Sequence, residues 1–248
     1  MIASLLLLMG AAFGAGVMNA VAGGGSFLTF PALVFIGVPS IIANASSTVA
    51  LFPGSFASAW AYRKDFTRFE GVPFPALLAV SLAGGLAGAL LLLFTPQKAF
   101  DVVIPWLLAV ATLAFTFGPW LAPRLRQFYR IGPKTVLAGQ FLVAIYGGYF
   151  GGAVGILQLA LYSLFGLTEL RSMNALKTLL TGCMNAVAVV CFVIAAKVGW
   201  MQTLVMLVAA VAGGYFGAHY ARKMNQRIVR VVIVAICVAM TVIFFLRT

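Results

Sequence analysis

The sequence predicts an all-α integral membrane protein with two homologous halves, each containing about four full spans and one short, broken helix. Three observations support this prediction. Hydrophobic residues make up 63% of the 248 residues and charged residues only 8%, against roughly 45–50% and about 25% in soluble domains. Several apolar stretches are long enough to cross a bilayer, and the chain matches itself at a fixed offset. A water-soluble enzyme, a nucleic-acid reader and a disordered tail are excluded.

The charge is strongly positive, +12 at neutral pH, but it is unevenly placed. Most of the sixteen Lys and Arg residues form short clusters between long uncharged runs, which is typical of the cytoplasmic loops of membrane proteins. We therefore expect the lipid bilayer, and no nucleic acid, as a partner. The three cysteines lie inside apolar runs without metal-ligand spacing, so the sequence predicts no metal, no cofactor and no disulfide framework.

The spans follow from the length of the apolar stretches. A bilayer core about 30 Å thick needs about 20 apolar helical residues. Because the first charged residue is Arg63, the N-terminal stretch lacks the positive start of a signal peptide and is predicted to be a retained span. The predicted spans are 2–22, 40–62, 73–94, 100–121, 131–150, 170–196, 200–219 and 228–246. Segments 27–37 and 156–165 are too short, and each follows a glycine-rich break.

An internal duplication relates the two parts of the chain. At an offset of 130, Asn44 matches Asn174 and Thr48 matches Thr178; at an offset of 129, Gln97 matches Gln226. Polar matches of this kind are harder to attribute to chance than matches among Ala, Leu and Gly. We predict a first membrane repeat at 1–122, a basic linker at 123–130 and a second membrane repeat at 131–248.

The orientation of the repeats depends on the two short segments. If neither crosses the membrane, the halves are parallel and the positive residues divide nine to six between the two sides. If both cross, the halves are inverted and the division is twelve to three, with Lys177 left inside a span. Because an excess of Lys and Arg marks cytoplasmic loops, the uneven division favours inverted repeats.

The two glycine-rich breaks are candidate parts of a binding site. Secondary transporters use paired broken helices, whose unwound backbone and half-helix N-termini point at the substrate. Glycine also lets a ligand approach backbone N–H groups closely. The alternative is that glycines only allow helices to pack tightly, which we favour for the pairs Gly84/Gly88 and Gly213/Gly217. In the first break, the candidate substrate-binding residues are Gly23, Gly24, Gly25 and Ser26.

Polar side chains follow each break on a long helix. Lys177 is notable because an ionisable residue inside a span is costly and therefore a functional hypothesis by default; the alternative is that it snorkels to the surface beside Arg171. For Gln158 and Asn185, structural hydrogen bonding remains as good an explanation as ligand contact. The candidate substrate-binding residues of these segments are Asn44, Ser47, Thr48, Gln158, Asn174, Lys177, Thr178 and Asn185.

The few acidic residues indicate the charge of the substrate. The chain has four, Asp65, Glu70, Asp101 and Glu169, all in predicted loops or at span ends. Cation paths and proton pumps usually carry carboxylates at membrane depth. One lysine together with hydroxyls, amides and backbone N–H groups is instead suited to a small anion.

The residues around the first break resemble a known family. The run NAVAGGGSFLTFP at 19–31, then GVP at 37–39 and NAS at 44–46, resembles the first-half signature of the TauE/SafE family of sulfite exporter-like permeases. NALKT at 174–178, with Asn185 and Gly199-Trp200, is similar to the second-half pattern. The resemblance implies a multi-pass inner-membrane transporter of sulfite or organosulfonates. The second break departs from the pattern, because Ala153 and Val154 replace glycines.

The resulting hypothesis is a secondary transporter for a small anion, in which Lys177 supplies the countercharge and the two repeats rock around the site. One alternative is an accessory multi-pass subunit without transport activity; another is a transporter of carboxylate anions. An intramembrane hydrolase would need Ser26 or Ser55 as nucleophile and His219 as base. Because such chemistry needs a base oriented by a third group, and no carboxylate lies at a matching depth, we predict that the protein is not an enzyme.

Overall fold

The computed structural model describes residues 2–21, 23–66, 71–128, 132–152, 154–167, 169–221 and 226–247. Within these ranges the chain forms ten α-helices and no strand. Two residues named in the sequence analysis, Glu70 and Ala153, and the end of the predicted linker at 129–130 lie outside the described residues. The prediction of an all-helical chain is confirmed for the part that is described.

Each predicted span and each short segment corresponds to one helix. The first five are α1 (Ile2–Val21), α2 (Ser26–Phe35), α3 (Ser40–Ala61), α4 (Phe74–Phe94) and α5 (Gln97–Phe128). The last five are α6 (Pro133–Phe150), α7 (Val154–Phe165), α8 (Leu170–Ile194), α9 (Trp200–Ala221) and α10 (Gln226–Arg247). The breaks therefore separate α1 from α2 and α6 from α7.

Two details of these helices add to the predicted segments. Helix α5 continues to Phe128, so the first part of the predicted linker is helical. One contact that supports this extension is the Arg124 guanidinium carbon 3.7 Å from the Trp120 ring centroid, one turn earlier. Among the residues that the structure describes, five helices are long and apolar enough on their own to cross a membrane: α1, α4, the 97–118 part of α5, α8 and α9.

Helix α3 illustrates why a predicted span can fall short of that criterion. It has 22 residues, enough to cross a bilayer, but its first half carries Asn44, Ser46, Ser47 and Thr48. All four are buried, because α3 packs between α8, α9 and α2. A helix surrounded by other helices need not be apolar all round, since it shows little of its surface to lipid.

The main helix contacts join the N-terminal part of the chain to the C-terminal part. Helix α1 packs along α9 and α4 packs along α6, while α3 packs on α8 near the centre. Glycines bring backbones into direct contact at both long seams, as the small-residue pattern predicts. The close pairs are Gly213 with Phe13 and Gly217 with Val17 at the α1–α9 seam, and Gly84 with Phe141 and Gly88 with Ile145 at the α4–α6 seam.

Candidate functional site

The two glycine-rich breaks meet each other inside the bundle. Gly23 has a φ of +89°, which L-residues with side chains rarely adopt. A Cβ added to Gly23 would lie 2.7 Å from Gly155 Cα, and one added to Gly155 would lie 3.0 Å from Gly23 Cα. The backbones of the two breaks therefore touch, and a side chain at either position would separate them.

Asn19 organises the first break from the last turn of α1. Its Oδ1 accepts a hydrogen bond of 2.7 Å from the backbone N–H of Gly25, directly before α2. Its backbone oxygen accepts one of 2.9 Å from Lys177 Nζ. One residue thus satisfies an N–H group at the start of α2, which has no partner inside the helix, and also holds the lysine of α8.

A central cavity lies where the breaks meet α3 and α8. Its volume is about 20 Å³, enough for about one water molecule. From the N-terminal part of the chain it is lined by Asn19, Gly23, Ser26, Thr48, Leu51 and Ser55. From the C-terminal part it is lined by Gly151, Val154, Gly155, Lys177, Thr178, Thr181 and Asn185.

Lys177 is buried at this cavity with 1% of its surface exposed. Its ammonium donates to Asn174 Oδ1 at 2.7 Å and to the backbone oxygen of Asn19 at 2.9 Å. An ammonium has three N–H donors, and both of these partners are neutral. Lys177 does not snorkel beside Arg171, which is exposed at the start of α8. None of the described residues that line the cavity carries a carboxylate.

A corresponding contact links α3 to the second break. Asn44 Nδ2 donates to the backbone oxygen of Tyr149 at 3.0 Å. Tyr149 corresponds to Asn19 at an offset of 130. The second break therefore accepts a side-chain hydrogen bond from α3, just as the first break accepts one from Lys177 of α8. At that offset Lys177 corresponds to Ser47, whose hydroxyl lies 2.6 Å from Thr29 Oγ1. At this pair of positions, a positive charge therefore occurs only in the C-terminal part of the chain.

The candidate residues fall into two groups. Six of them line the central cavity: Gly23, Ser26, Thr48, Lys177, Thr178 and Asn185. The other six lie behind the lining: Gly24, Gly25, Asn44, Ser47, Gln158 and Asn174. Several of this second group support residues that line the cavity; Gln158 Oε1, for example, accepts a hydrogen bond of 2.7 Å from Thr181.

Three of the candidate amides have a buried atom without a hydrogen-bond partner: Asn44 Oδ1, Gln158 Nε2 and Asn185 Oδ1. Such atoms are rare in folded proteins and call for an explanation. Asn185 is 5% exposed and lines the central cavity, so a ligand there could supply the missing partner. Rotation of its amide by half a turn would instead present the NH₂ group to an acceptor.

Sequence reasoning did not single out several residues of the lining as ligand contacts, among them Asn19, Leu51 and Thr181. Asn19 contributes its backbone oxygen, and nothing in a side chain's identity signals that role. A signal for Ser55 was present, because it corresponds to Asn185 at the offset of 130. In general, the repeat partner of a candidate residue was a usable indicator.

A second, larger cavity of about 350 Å³ lies between the start of α3 and the start of α5, and we call it the α3–α5 cavity. Asp101 at this cavity accepts hydrogen bonds from Ser40 Oγ and from Gln97 Nε2. Phe244 lines it as well.

A chain of ring contacts connects this cavity to the central one. The Phe30 ring stacks on Phe244 at 5.4 Å between centroids and meets Phe150 edge-on at 5.7 Å. Phe150 directly precedes Gly151, which lines the central cavity. Phe30 and Phe150 are fully buried, and their ring contacts run from Phe244 at the α3–α5 cavity to the residue before Gly151.

The residues proposed for hydrolysis are not brought together. Ser26 and Ser55 line the central cavity, but His219 is exposed in the last turn of α9. His219 is absent from the lining of that cavity, and its ring instead meets Tyr220 edge-on at 5.3 Å. The arrangement therefore lacks the pairing of nucleophile and base that this chemistry needs.

Apolar helices, paired breaks and a buried polar cavity between them define the class of a multi-pass membrane transporter. The family model described as "Sulfite exporter TauE/SafE" matches residues 8–244. The chain belongs to this family, and the resemblance stated above is confirmed.

Curated relatives carry names of the same kind. "Probable membrane transporter protein YfcA" of Escherichia coli (strain K12) is 29% identical over 229 residues, covering 92% of this chain and 84% of the relative. "Probable membrane transporter protein ORF9" of Sinorhizobium sp is 28% identical over 242 residues, covering 96% and 91%. "Probable membrane transporter protein" of Haemophilus influenzae is 26% identical, covering 96% and 92%. No solved structure matches this chain.

Proposed function

We propose that this protein is a secondary transporter of the inner membrane that moves a small anion, sulfite or an organosulfonate, by alternating access. The observation that carries the proposal is Lys177, buried at the central cavity with neutral partners only. A buried charge without a counterion is costly, and a bound anion would offset that cost. The family name supports sulfite as the substrate.

The other polar groups at the cavity suit an oxyanion. Ser26, Thr48, Ser55, Thr178 and Thr181 bring hydroxyls. Four of them donate to protein oxygens in this structure, and each would exchange that bond for one to a bound anion by rotating. Helices α2 and α7 both begin at the breaks, where the first backbone N–H groups of a helix can donate hydrogen bonds to an anion. Six of the twelve candidate residues line this cavity, and we propose the other six as its supporting shell.

Two related halves, at 1–122 and 131–248, explain why the contacts around the cavity occur in pairs. A Cβ added to Gly85 would lie 2.8 Å from the oxygen of Met184, and one added to Gly214 would lie 2.7 Å from the oxygen of Gly54. Gly85 and Gly214 are 129 residues apart, and Gly54 and Met184 are 130 apart. The same contact therefore occurs twice, which supports a two-fold relation between the halves. We propose that they are inverted.

Alternating access requires the cavity to enlarge. Sulfite has four heavy atoms, and a volume that suits about one water molecule is too small for it. The structure therefore corresponds to a closed state. We propose that displacement of the Phe30 and Phe150 rings opens the central cavity towards the α3–α5 cavity. Because the glycine seams join α1 to α9 and α4 to α6, each moving body would combine helices from both halves.

The decisive experiment is uptake of ³⁵S-labelled sulfite or of a labelled sulfonate into proteoliposomes. We expect Lys177→Met, which keeps the length and removes the charge, to abolish uptake while the protein still expresses and purifies. Lys197→Met is the matched control, because Lys197 is exposed just beyond α8, and its uptake should be unchanged. Full uptake by Lys177→Met would refute the assigned role of Lys177.

Ligand-dependent stability separates this proposal from its alternatives. A ligand that binds only the folded protein raises its melting temperature. We expect sulfite or a sulfonate to stabilise the purified protein and a change of cation to have no such effect. Stabilisation by acetate alone would indicate a carboxylate transporter, and no stabilisation by any anion would favour an accessory subunit. Reporter fusions in the loops at 62–72 and 220–230 test inversion, which is wrong if they report opposite sides.

A further inference from the structure

The central cavity contains one formal charge. Among the described residues that line it, Lys177 is the one ionisable side chain. The described carboxylates lie elsewhere: Asp65 follows the end of α3, Asp101 is at the α3–α5 cavity, and Glu169 is exposed and accepts a hydrogen bond from Ser172 at the start of α8. An anion in the central cavity would therefore meet a single unit of positive charge.

The helix termini at the cavity largely offset one another. Helices α2 and α7 begin at the breaks, and each N-terminus carries a partial positive charge of about half a unit. Helices α1 and α6 end at the same breaks, and each C-terminus carries a partial negative charge of similar size. To a first approximation the termini cancel, and the charge of Lys177 remains.

From this charge balance we infer that the central cavity selects its ligand by charge state, taking singly charged oxyanions and rejecting doubly charged anions of the same shape. The inference rests on the proposed function and specifies its substrate class: monoanionic sulfonates and hydrogensulfite, rather than the sulfite or sulfate dianion. A monoanion neutralises the ammonium. A dianion leaves one uncompensated negative charge in a buried site, where unpaired charge is strongly unfavourable.

The cavity lining supports this selection. Beyond Lys177, the described side chains at the cavity are neutral hydroxyls, the two amides of Asn19 and Asn185, and apolar groups. Neutral donors can bind the oxygens of either anion, but they cannot balance a second full charge. The Oδ1 of Asn185 is buried at this cavity without a partner; with the amide turned by half a rotation, its NH₂ group would donate to an oxygen of the anion.

Methanesulfonate and sulfate provide the test, because both are tetrahedral at sulfur and differ by a methyl group in place of a charged oxygen. Their dissociation constants would be measured calorimetrically on the purified protein at equal ionic strength. The Lys177→Met variant serves as the background, because sulfate also stabilises proteins by exclusion from their surface. We expect methanesulfonate to bind about tenfold more tightly than sulfate, or better.

The outcomes of this comparison are distinct. Sulfate binding as tight as that of methanesulfonate, and lost in Lys177→Met, would overturn the inference and leave the anion-transport proposal intact. Failure of both anions to bind would overturn the proposed function and the inference with it. Tighter binding of methanesulfonate supports both.

A second charge in the cavity should change the preference. Asn185→Lys places another ammonium at the cavity, and Asn185→Met is the matched control of similar length without charge. We expect the lysine variant to shift the ratio of the two dissociation constants about tenfold or more towards sulfate, and the methionine variant to leave that ratio unchanged. An unchanged ratio in Asn185→Lys would contradict the inference.

The pH dependence of sulfite binding gives a measurement that needs no variant. Hydrogensulfite loses its proton near neutral pH, whereas methanesulfonate stays singly charged throughout that range. We expect the apparent affinity for total sulfite to fall as hydrogensulfite becomes sulfite, relative to that for methanesulfonate. Parallel pH profiles for the two ligands would overturn the charge-state inference.

Discussion

The hydroxyl oxygens of Thr112 on α5 and Thr241 on α10 lie 2.9 Å apart, and the two residues are 129 positions apart in the chain. The same offset relates Gln97 to Gln226. When two residues occupy equivalent positions in two repeats related by a two-fold axis and also contact each other, the axis passes between them. This contact therefore marks a point on the proposed two-fold axis.

Loss of the Thr112 hydroxyl should weaken the contact between α5 and α10. We expect Thr112→Val to lower the stability by about 1 kcal/mol, in the range of hydrogen bonds between membrane helices. Thr241 Oγ1 also donates to the backbone oxygen of Cys237 at 2.7 Å, so its own hydroxyl stays satisfied. Thr112→Ser is the control that keeps the hydroxyl. Equal thermal stability of the valine variant and the native protein would contradict this prediction.

Asn174 should be a positioning residue for Lys177, since its Oδ1 accepts a hydrogen bond of 2.7 Å from the Lys177 ammonium. Asn174→Asp would place a carboxylate beside the ammonium and pair its charge. We expect a protein that is at least as stable as the native one but binds anions about tenfold more weakly. Asn174→Leu removes the partner without adding charge and should lower stability. Anion affinity that survives Asn174→Asp would contradict the role assigned to the free charge of Lys177.

The break at Gly23 should tolerate no side chain. Gly23 and Gly37 both have positive φ, +89° and +92°, but a Cβ at Gly37 would have nothing within 4 Å. We expect Gly37→Ala to cost about 1–3 kcal/mol from backbone strain alone. Gly23→Ala should cost more than Gly37→Ala, because its Cβ also meets the backbone of Gly155. Thermal unfolding of both variants measures the difference, and equal losses would mean that the contact between the breaks is unimportant.

Removal of the Phe30 ring should open the proposed path between the central cavity and the α3–α5 cavity. We expect Phe30→Ala to make a cysteine at position 26, introduced as Ser26→Cys, reactive with a charged, membrane-impermeant thiol reagent. Phe192→Ala is the control, because Phe192 is also fully buried in the same apolar core. Peptide mass mapping would separate this site from the three native cysteines. Labelling in the Phe192 variant but not in the Phe30 variant would refute the assigned path.

The sequence predicted helices and breaks well because both depend on local composition. All ten helices lie where apolar length and the two glycine runs indicate. Helix α3 lies where a span was predicted, but it carries buried Asn44 and Thr48 because other helices surround it. The span predicted at 100–121 is shorter than the helix that contains it, because the composition changes at 123–130 while the backbone of α5 continues to Phe128.

The candidate site was only partly predictable because side-chain identity does not reveal backbone roles. Lys177 was identified by its charge inside a span, and its burial agrees with that hypothesis. The lining by Asn19 and Gly151 depends on backbone atoms that tertiary structure brings to the cavity. In the structure, Asn44 donates a hydrogen bond to the backbone oxygen of Tyr149, and Asn174 accepts one from Lys177; contact of either amide with a substrate stays a prediction.

The seams between α1 and α9 and between α4 and α6 have a consequence for biosynthesis. Helix α1 leaves the ribosome long before α9, its main packing partner, so it must wait in the bilayer without its final neighbour. Neither half carries a complete set of partners for its own helices. A gene divided between the codons for α5 and α6 should therefore yield a folded product only when both fragments are made in the same cell.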